Sequence, residues 1–248
     1  MTDAAPGFLY LRELLAAGQE FEPEADEAHY LARVIRARAG ERVTASDGRG
    51  GLATLEVLVA RPQVRLRVLT RDTRARTSEA TLLCGAPEGD RADWLIEKLA
   101  ELGVAVFQPV HTERAQWERA DARRERWQRL ALAALRQSRG AWRLEVREPV
   151  ALPEALAKAL GTGRRVLANP DGVPAAVAAA PTQAHVVAAV GPSPGFSSEE
   201  LKGLQMHGFE PVALAPNRLR TETAAMALAA WWAAADTPRA AVQGAGPA

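Results

Sequence analysis

Two short segments of this chain concentrate residues able to cradle a ligand. One reads Gly191-Pro192-Ser193-Pro194-Gly195-Phe196-Ser197, and the other reads Leu214-Ala215-Pro216-Asn217-Arg218-Leu219-Arg220-Thr221-Glu222-Thr223. Each follows an apolar run with strand character and precedes a run with helical spacing. Loops at the carboxyl ends of strands line the usual ligand crevice of an α/β sheet. Small residues allow close backbone approach, and Ser197 with Glu200 forms a capping box for the helix that follows. The same features also suit ordinary strand-to-helix turns with good caps, so pattern leaves both readings open.

Other chemistries are poorly represented. The four histidines (29, 111, 185 and 207) are far apart, with no His-x₃-His or Cys-x₂-Cys spacing, and no metal site is expected. There is no Walker loop and no GxGxxG after a strand. The single cysteine, Cys84, sits in the apolar run ATLLCGA and reads as a buried strand thiol. Net charge is only +1, so a nucleic-acid surface has to come from local clustering. Between His111 and Val150 ten arginines face six acids, and only three of the 31 basic residues are lysines. Guanidinium forks suit phosphate, although such a bias also follows from genome composition. The first residues carry acids and no apolar h-region, and no long charge-free apolar run occurs, so a cytoplasmic protein without membrane contact is expected.

The elements that would position these loops fall into two groups. From Glu41 to Arg76 the chain reads as strands RVTASD, LATLEVLVA and QVRLRVLTR around an Asp47-Gly48 turn, with Val64, Leu66 and Val68 alternating with Arg65 and Arg67. A small β-barrel fits. Upstream, HYLARVIRARAG reads as a short amphipathic helix with Tyr30, Leu31, Val34 and Ile35 inward, Arg33, Arg36 and Arg38 outward, and Gly40 as its stop. After residue 76 the rhythm changes to alternating β and α. Strands are expected at 80–86, 105–112, 164–170, 184–191 and 209–216, with helices at WLIEKLAEL (Trp94, Leu95, Leu99 and Leu102 inward), at RWQRLALAALRQS, and after Gly195 and Arg220. That pattern predicts an α/β domain with a largely parallel sheet whose strands are buried on both faces. The expected division is 1–76, 77–236 and a disordered Ala/Gly/Pro-rich tail at 237–248.

The order GDRADWLIEKLAELGV, QPVHTERA, RWQRLALAALRQS, VGPSPGF and LAPNRLRTETAA resembles the RsmE family of the SPOUT superfamily along nearly the whole chain. The resemblance implies an N-terminal PUA-like barrel that binds RNA and a C-terminal SPOUT domain with a trefoil knot, a topology that general chain-path rules disfavour. It implies S-adenosylmethionine as cofactor, ribosomal RNA of the small subunit as partner, and methylation of N3 of a uridine. The cofactor would lie among three loops carrying Leu167, Asn169 and Pro170; Gly191, Pro192 and Gly195; and Leu214, Pro216, Leu219, Thr221 and Thr223.

Methylation at N3 requires loss of the uridine N–H, and negative charge then develops on the flanking carbonyl oxygens. Arginine or backbone donors can stabilise it, which makes Arg220 the candidate catalytic residue, with a salt bridge to Glu222 as its structural alternative. Glu222 or water would serve as base. RNA contact is expected from Arg33, Arg36, Arg114, Gln137, Arg139, Asn217 and Arg218. The chain departs from the family where GPEGGF becomes GPSPGF, where LGPRILRTET becomes LAPNRLRTET, and where a QSGR-type turn becomes RQSRGAW. These departures motivate two alternatives: a non-catalytic RNA-binding protein of ribosome assembly, and an enzyme with another RNA target. The terminal helix TAAMALAAWWAAA is apolar or small around its circumference. Trp231 and Trp232 cannot both enter one core, so a homodimer is expected.

Overall fold

A computed structural model describes residues 7–76, 79–118, 120–158, 163–178 and 185–236. The expected tail at 237–248 lies outside the described residues.

The N-terminal unit is a five-stranded sheet. Its strands are β1 (Phe8–Tyr10), β2 (Glu20–Phe21), β3 (Arg42–Ser46), β4 (Gly51–Val59) and β5 (Arg65–Thr73), in the order β1-β3-β4-β5-β2. Only the β1–β3 pair is parallel. Register shifts at Thr54/Leu55 and Val57/Val59 bend β4 against β5, as bulges do. Leu9, Val43, Leu55, Val57 and Leu66 are buried in the core that this curvature encloses. Each fully buried side chain of this size contributes about 1.5–3 kcal/mol of apolar burial.

The helical run between β2 and β3 differs from the sequence expectation. Helix α1 (Ala25–His29) passes into a π-helical turn at Tyr30–Ile35 that ends at Arg36, where φ is 57°. Ala37 N–H closes it on the Leu31 carbonyl at 3.0 Å, so Gly40 is not its stop. The wider turn keeps Leu31 buried and leaves Val34 at 64% exposure, outside the face expected for it.

The second unit has a wholly parallel main sheet ordered β12-β10-β11-β6-β7-β8. In chain order its elements are β6 (Glu79–Cys84), α2 (Ala92–Glu101), β7 (Val106–His111), α3 (Ala120–Ser138), β8 (Glu145–Val146), β9 (Val150–Ala151), α4 (Leu152–Lys158), β10 (Arg164–Pro174), β11 (His185–Val190), α5 (Ser198–Met206), β12 (Glu210–Ala213) and α6 (Thr221–Asp236). Alternate strand residues serve the two faces. Leu82, Cys84, Ala188 and Val190 pack with α2, α3 and α6, whereas Leu83 and Ala189 pack with α4 and α5. Burial on both faces holds for β6, β7 and β11, but the edge strand β12 and its neighbour β10 are only partly covered. On α2 the inward stripe is Leu95, Ile96 and Leu99, and Trp94 points outward at 46% exposure, contrary to the sequence reading.

Candidate active site

Three loops leave the carboxyl ends of neighbouring strands and converge. The first is an excursion inside β10, whose pairing with β12 shifts between Ala168 and Val173. The intervening Asn169 turns it by accepting the Asp171 N–H on its side-chain oxygen at 2.9 Å. The second follows β11, in the centre of the sheet, and the third links β12 to α6. Together they line a cleft of about 300 Å³. Its walls include Ala168, Asn169, Pro170, Gly191, Pro192, Gly195, Phe196, Leu214, Leu219, Thr221 and Ala224.

The loop after β11 is held from several directions. Gly195 N–H donates to the Pro192 carbonyl at 2.7 Å and closes a turn with Ser193 and Pro194 at its tip. Pro194 is exposed there, and the closing bond uses no N–H at that position. Gly195 has φ of +83°, a conformation open to glycine and strained for other residues. A Cβ on Gly85, at the end of β6, would lie 2.4 Å from the Pro192 nitrogen, so strand and loop are in backbone contact. The expected capping box is present. Ser197 Oγ accepts from Glu200 N–H at 3.2 Å, and Glu200 Oε2 accepts from Ser197 N–H at 2.7 Å.

Side chains from other segments complete the scaffold. Thr221 Oγ1 donates to the Gly191 carbonyl at 3.0 Å, joining the second and third loops. Arg218 Nη2 donates to the Ser193 carbonyl at 3.0 Å. Arg114, on the loop after β7, donates to the Pro194 and Phe196 carbonyls at 3.4 and 3.3 Å. Glu222 is buried at 2% exposure and accepts a hydrogen bond from Arg91 at the start of α2. The Cys84 thiol below is pushed up by burial and secondarily by the Glu222 charge, so it stays protonated and has no nucleophilic part here.

Of the residues expected to hold a cofactor, Asn169, Pro170, Gly191, Pro192, Gly195, Leu214, Leu219 and Thr221 come together at the cleft. Leu167 does not: it is 1% exposed within the core between the sheet and α4–α5, one residue before the chain emerges at the cleft. Pro216 and Thr223 also lie off the cleft wall. Asn217 and Arg218, expected to meet RNA, line the cleft, and Arg114 braces its loop. Glu222 faces away into protein and is placed as a structural anion, not as a base open to substrate. Arg220 is exposed at the entry to α6, with its carbonyl accepting from Ala224 N–H at 2.8 Å; the alternative pairing with Glu222 is not formed. Arg33 and Arg36 are exposed on the N-terminal unit, and Gln137 and Arg139 are exposed at the end of α3. Sequence reasoning missed Arg91. The only available signal was that a carboxylate on an apolar helix needs a cation, which does not say which one.

Comparison with known proteins assigns this parallel sheet with its three-loop cleft, and the small bent β unit before it, to the RNA methyltransferases of the SPOUT fold with an N-terminal PUA-like domain. Residues 74–233 match the family model of an RNA methyltransferase domain, and residues 23–69 match that of an RNA methyltransferase PUA domain. The chain belongs to the ribosomal RNA small subunit methyltransferase E family. It is 32% identical over 227 residues to the Mycobacterium bovis member, covering 87% of each chain. With the Synechocystis member it shares 30% identity over 204 residues, 80% of this chain and 67% of the relative. Among solved structures, the Neisseria gonorrhoeae methyltransferase E bound to S-adenosyl methionine superposes with a TM-score of 0.82 at 29% identity, over 90% of this chain and 95% of that one. A Legionella pneumophila methyltransferase in complex with SAM gives 0.77 at 27% identity, over 94% and 98%.

Proposed function

We propose that this protein transfers a methyl group from S-adenosylmethionine to N3 of a uridine in small-subunit ribosomal RNA. The convergence of three backbone-rich loops on one cleft carries this reading. The residues fit the cofactor. Leu214, Leu219, Ala168 and Ala224 offer apolar surface to a purine ring, and small residues expose main-chain donors and acceptors. The cofactor supplies an electrophilic methyl carried on a sulfonium. The chain's own part is to hold, orient and exclude water. Arg218 and Arg114 fix the second loop through its carbonyls, and Thr221 locks it to the third. Arg220, exposed between the cleft-lining Leu219 and Thr221, is assigned the charge that stabilises the uridine oxygens as the N3 proton leaves to water.

The reading extends to features of the assembly. The unit boundary falls near residue 77, giving an RNA-binding unit at 1–76 and a methyltransferase unit at 77–236 in which the last strands and helix pass through a trefoil knot. The protein acts as a cytoplasmic homodimer. The support is the apolar or small composition of α6 around its circumference; its two tryptophans pack within the chain, Trp232 buried against Ala80 and Val186 and Trp231 half-buried against the main core with Arg164 5.7 Å from its ring. No described helix is long and apolar enough to cross a membrane. Titration with S-adenosylmethionine in a calorimeter tests the cleft: saturable one-to-one binding per chain that is weakened by Gly191→Leu is expected, and absence of binding would overturn the reading. Sedimentation equilibrium showing a monomer at micromolar concentration would overturn the dimer.

A further inference from the structure

The turn between β3 and β4 ties together four chain segments. Gly50 N–H donates to the Ala141 carbonyl at 2.8 Å, and the Gly48 carbonyl accepts from Arg143 N–H at 2.9 Å. The Gly50 carbonyl accepts from Arg74 N–H at 2.8 Å, and Arg49 Nη2 donates to the Arg12 carbonyl at 2.5 Å. A buried Ser46 hydroxyl fixes the turn from beneath, donating to the Ala141 carbonyl at 3.3 Å and accepting from Gly48 N–H at 3.0 Å. The junction of the two units is therefore a backbone-bonded hub from which Arg12, Arg49, Arg74 and Arg143 all project as exposed side chains.

Acids also lie at this hub, but they do not pair with three of its four arginines. Asp47 is occupied by the N–H groups of Arg49 and Gly51, and Glu24 pairs with Arg12 at 3.3 Å. Glu13 beside Arg12 and Asp72 on neighbouring β5 are the further acids of these segments. Arg49, Arg74 and Arg143 have no acidic partner among the described residues. The Arg143 guanidinium sits 5.9 Å from the Tyr10 ring, which orients it without neutralising it. Guanidinium forks on a rigid frame match phosphate oxygens. A protein partner would need an apolar anchor at the centre of its contact. The large apolar side chains that are exposed, Val34, Trp94, Val173, Val177 and Met206, belong to none of these four segments.

We infer that this inter-unit hub binds the phosphodiester backbone of the RNA substrate, through Arg49, Arg74 and Arg143. The inference rests on the RNA methyltransferase reading and assigns the seam between the units, in addition to the Arg33/Arg36 face, to RNA. It also gives a role to the 139–143 segment, where the chain departs from its family: Ala141–Arg143 builds the hub.

The test uses the full chain, a small-subunit rRNA transcript and fluorescence anisotropy over a salt series. Arg49→Ala/Arg143→Ala should reduce the slope of log affinity against log salt by about 1.4–1.8, the value for two lost phosphate contacts. The KM for RNA should rise about tenfold, while the S-adenosylmethionine Kd and kcat at saturating RNA hold. Arg49→Lys/Arg143→Lys should recover most of the slope, which a folding defect would not allow. A wild-type slope and KM in the alanine variant would overturn the inference and leave the methyltransferase reading intact. Weakened capture of intact subunits with unchanged RNA binding would assign the hub to a protein and overturn it as well. A wild-type protein that neither binds nor methylates rRNA would overturn both.

Discussion

The Glu222 carboxylate in the first turn of α6 and the Arg91 guanidinium at the start of α2 form an ion pair across 131 residues of chain. The carboxylate side is 3% exposed and the guanidinium side 44%. Because Thr221 also bonds to the Gly191 carbonyl, the pair anchors the turn of helix that holds the cofactor loop.

Arg91→Ala leaves the Glu222 carboxyl buried and without its cation. A loss of about 2 kcal/mol is expected, below the ~3–5 kcal/mol of a fully buried pair because Arg91 is half in water. Urea denaturation measures it, and Arg91→Lys should restore more than half. Wild-type stability in Arg91→Ala would show that the pair does not anchor α6.

Pro194, where GPSPGF departs from the family pattern it resembles, has no N–H and is exposed at the turn tip, and the bond that closes the turn is donated by Gly195. Pro194→Gly should therefore change the S-adenosylmethionine Kd by less than about threefold, at the low end of the ~0.5–1.5 kcal/mol net value of one hydrogen bond. Gly195→Ala meets a left-handed backbone and should cost roughly 1–2 kcal/mol in loop stability. Calorimetric titration of both variants compares the two effects, and a larger loss with Pro194→Gly would contradict this account of the turn.

Burial raises the carboxyl of Glu27 above its ordinary value despite the attraction of Arg136, with which it forms an ion pair between the two units. With the folded value raised, the native state holds the proton more tightly than the unfolded chain does. Its contribution to stability is then complete below the unfolded carboxylate value of about 4.3 and declines as pH rises through the folded value. Glu27→Gln should flatten that part of the pH–stability curve, as measured by thermal unfolding from pH 4 to 7. A curve parallel to wild type would remove Glu27 from the pH response.

Much of this arrangement is legible from residue order. The alternation through Val64, Leu66 and Val68 marks a strand, and the Ser197/Glu200 spacing marks the start of α5, because both are local patterns. Val34 and Trp94 break their expected faces because a π turn and a one-residue helix phase are decided by packing. Arg91, the partner of Glu222, and Ala141, which the β3–β4 turn meets, lie over 90 residues away in sequence. Their pairing follows from tertiary closure, which no local period encodes. The RQSRGAW departure was legible as a departure, yet its role at the inter-unit junction became visible only in three dimensions.

Methyl transfer to uridine N3 is tested most directly by nucleoside mass spectrometry of rRNA from small subunits that lack the modification, after incubation with the purified protein and labelled S-adenosylmethionine. Labelled 3-methyluridine is expected with wild type, and a fall of at least about a hundredfold is expected with Arg220→Ala, the scale for removing a transition-state charge partner. A label on a different nucleoside, or none while the cofactor still binds, would contradict it.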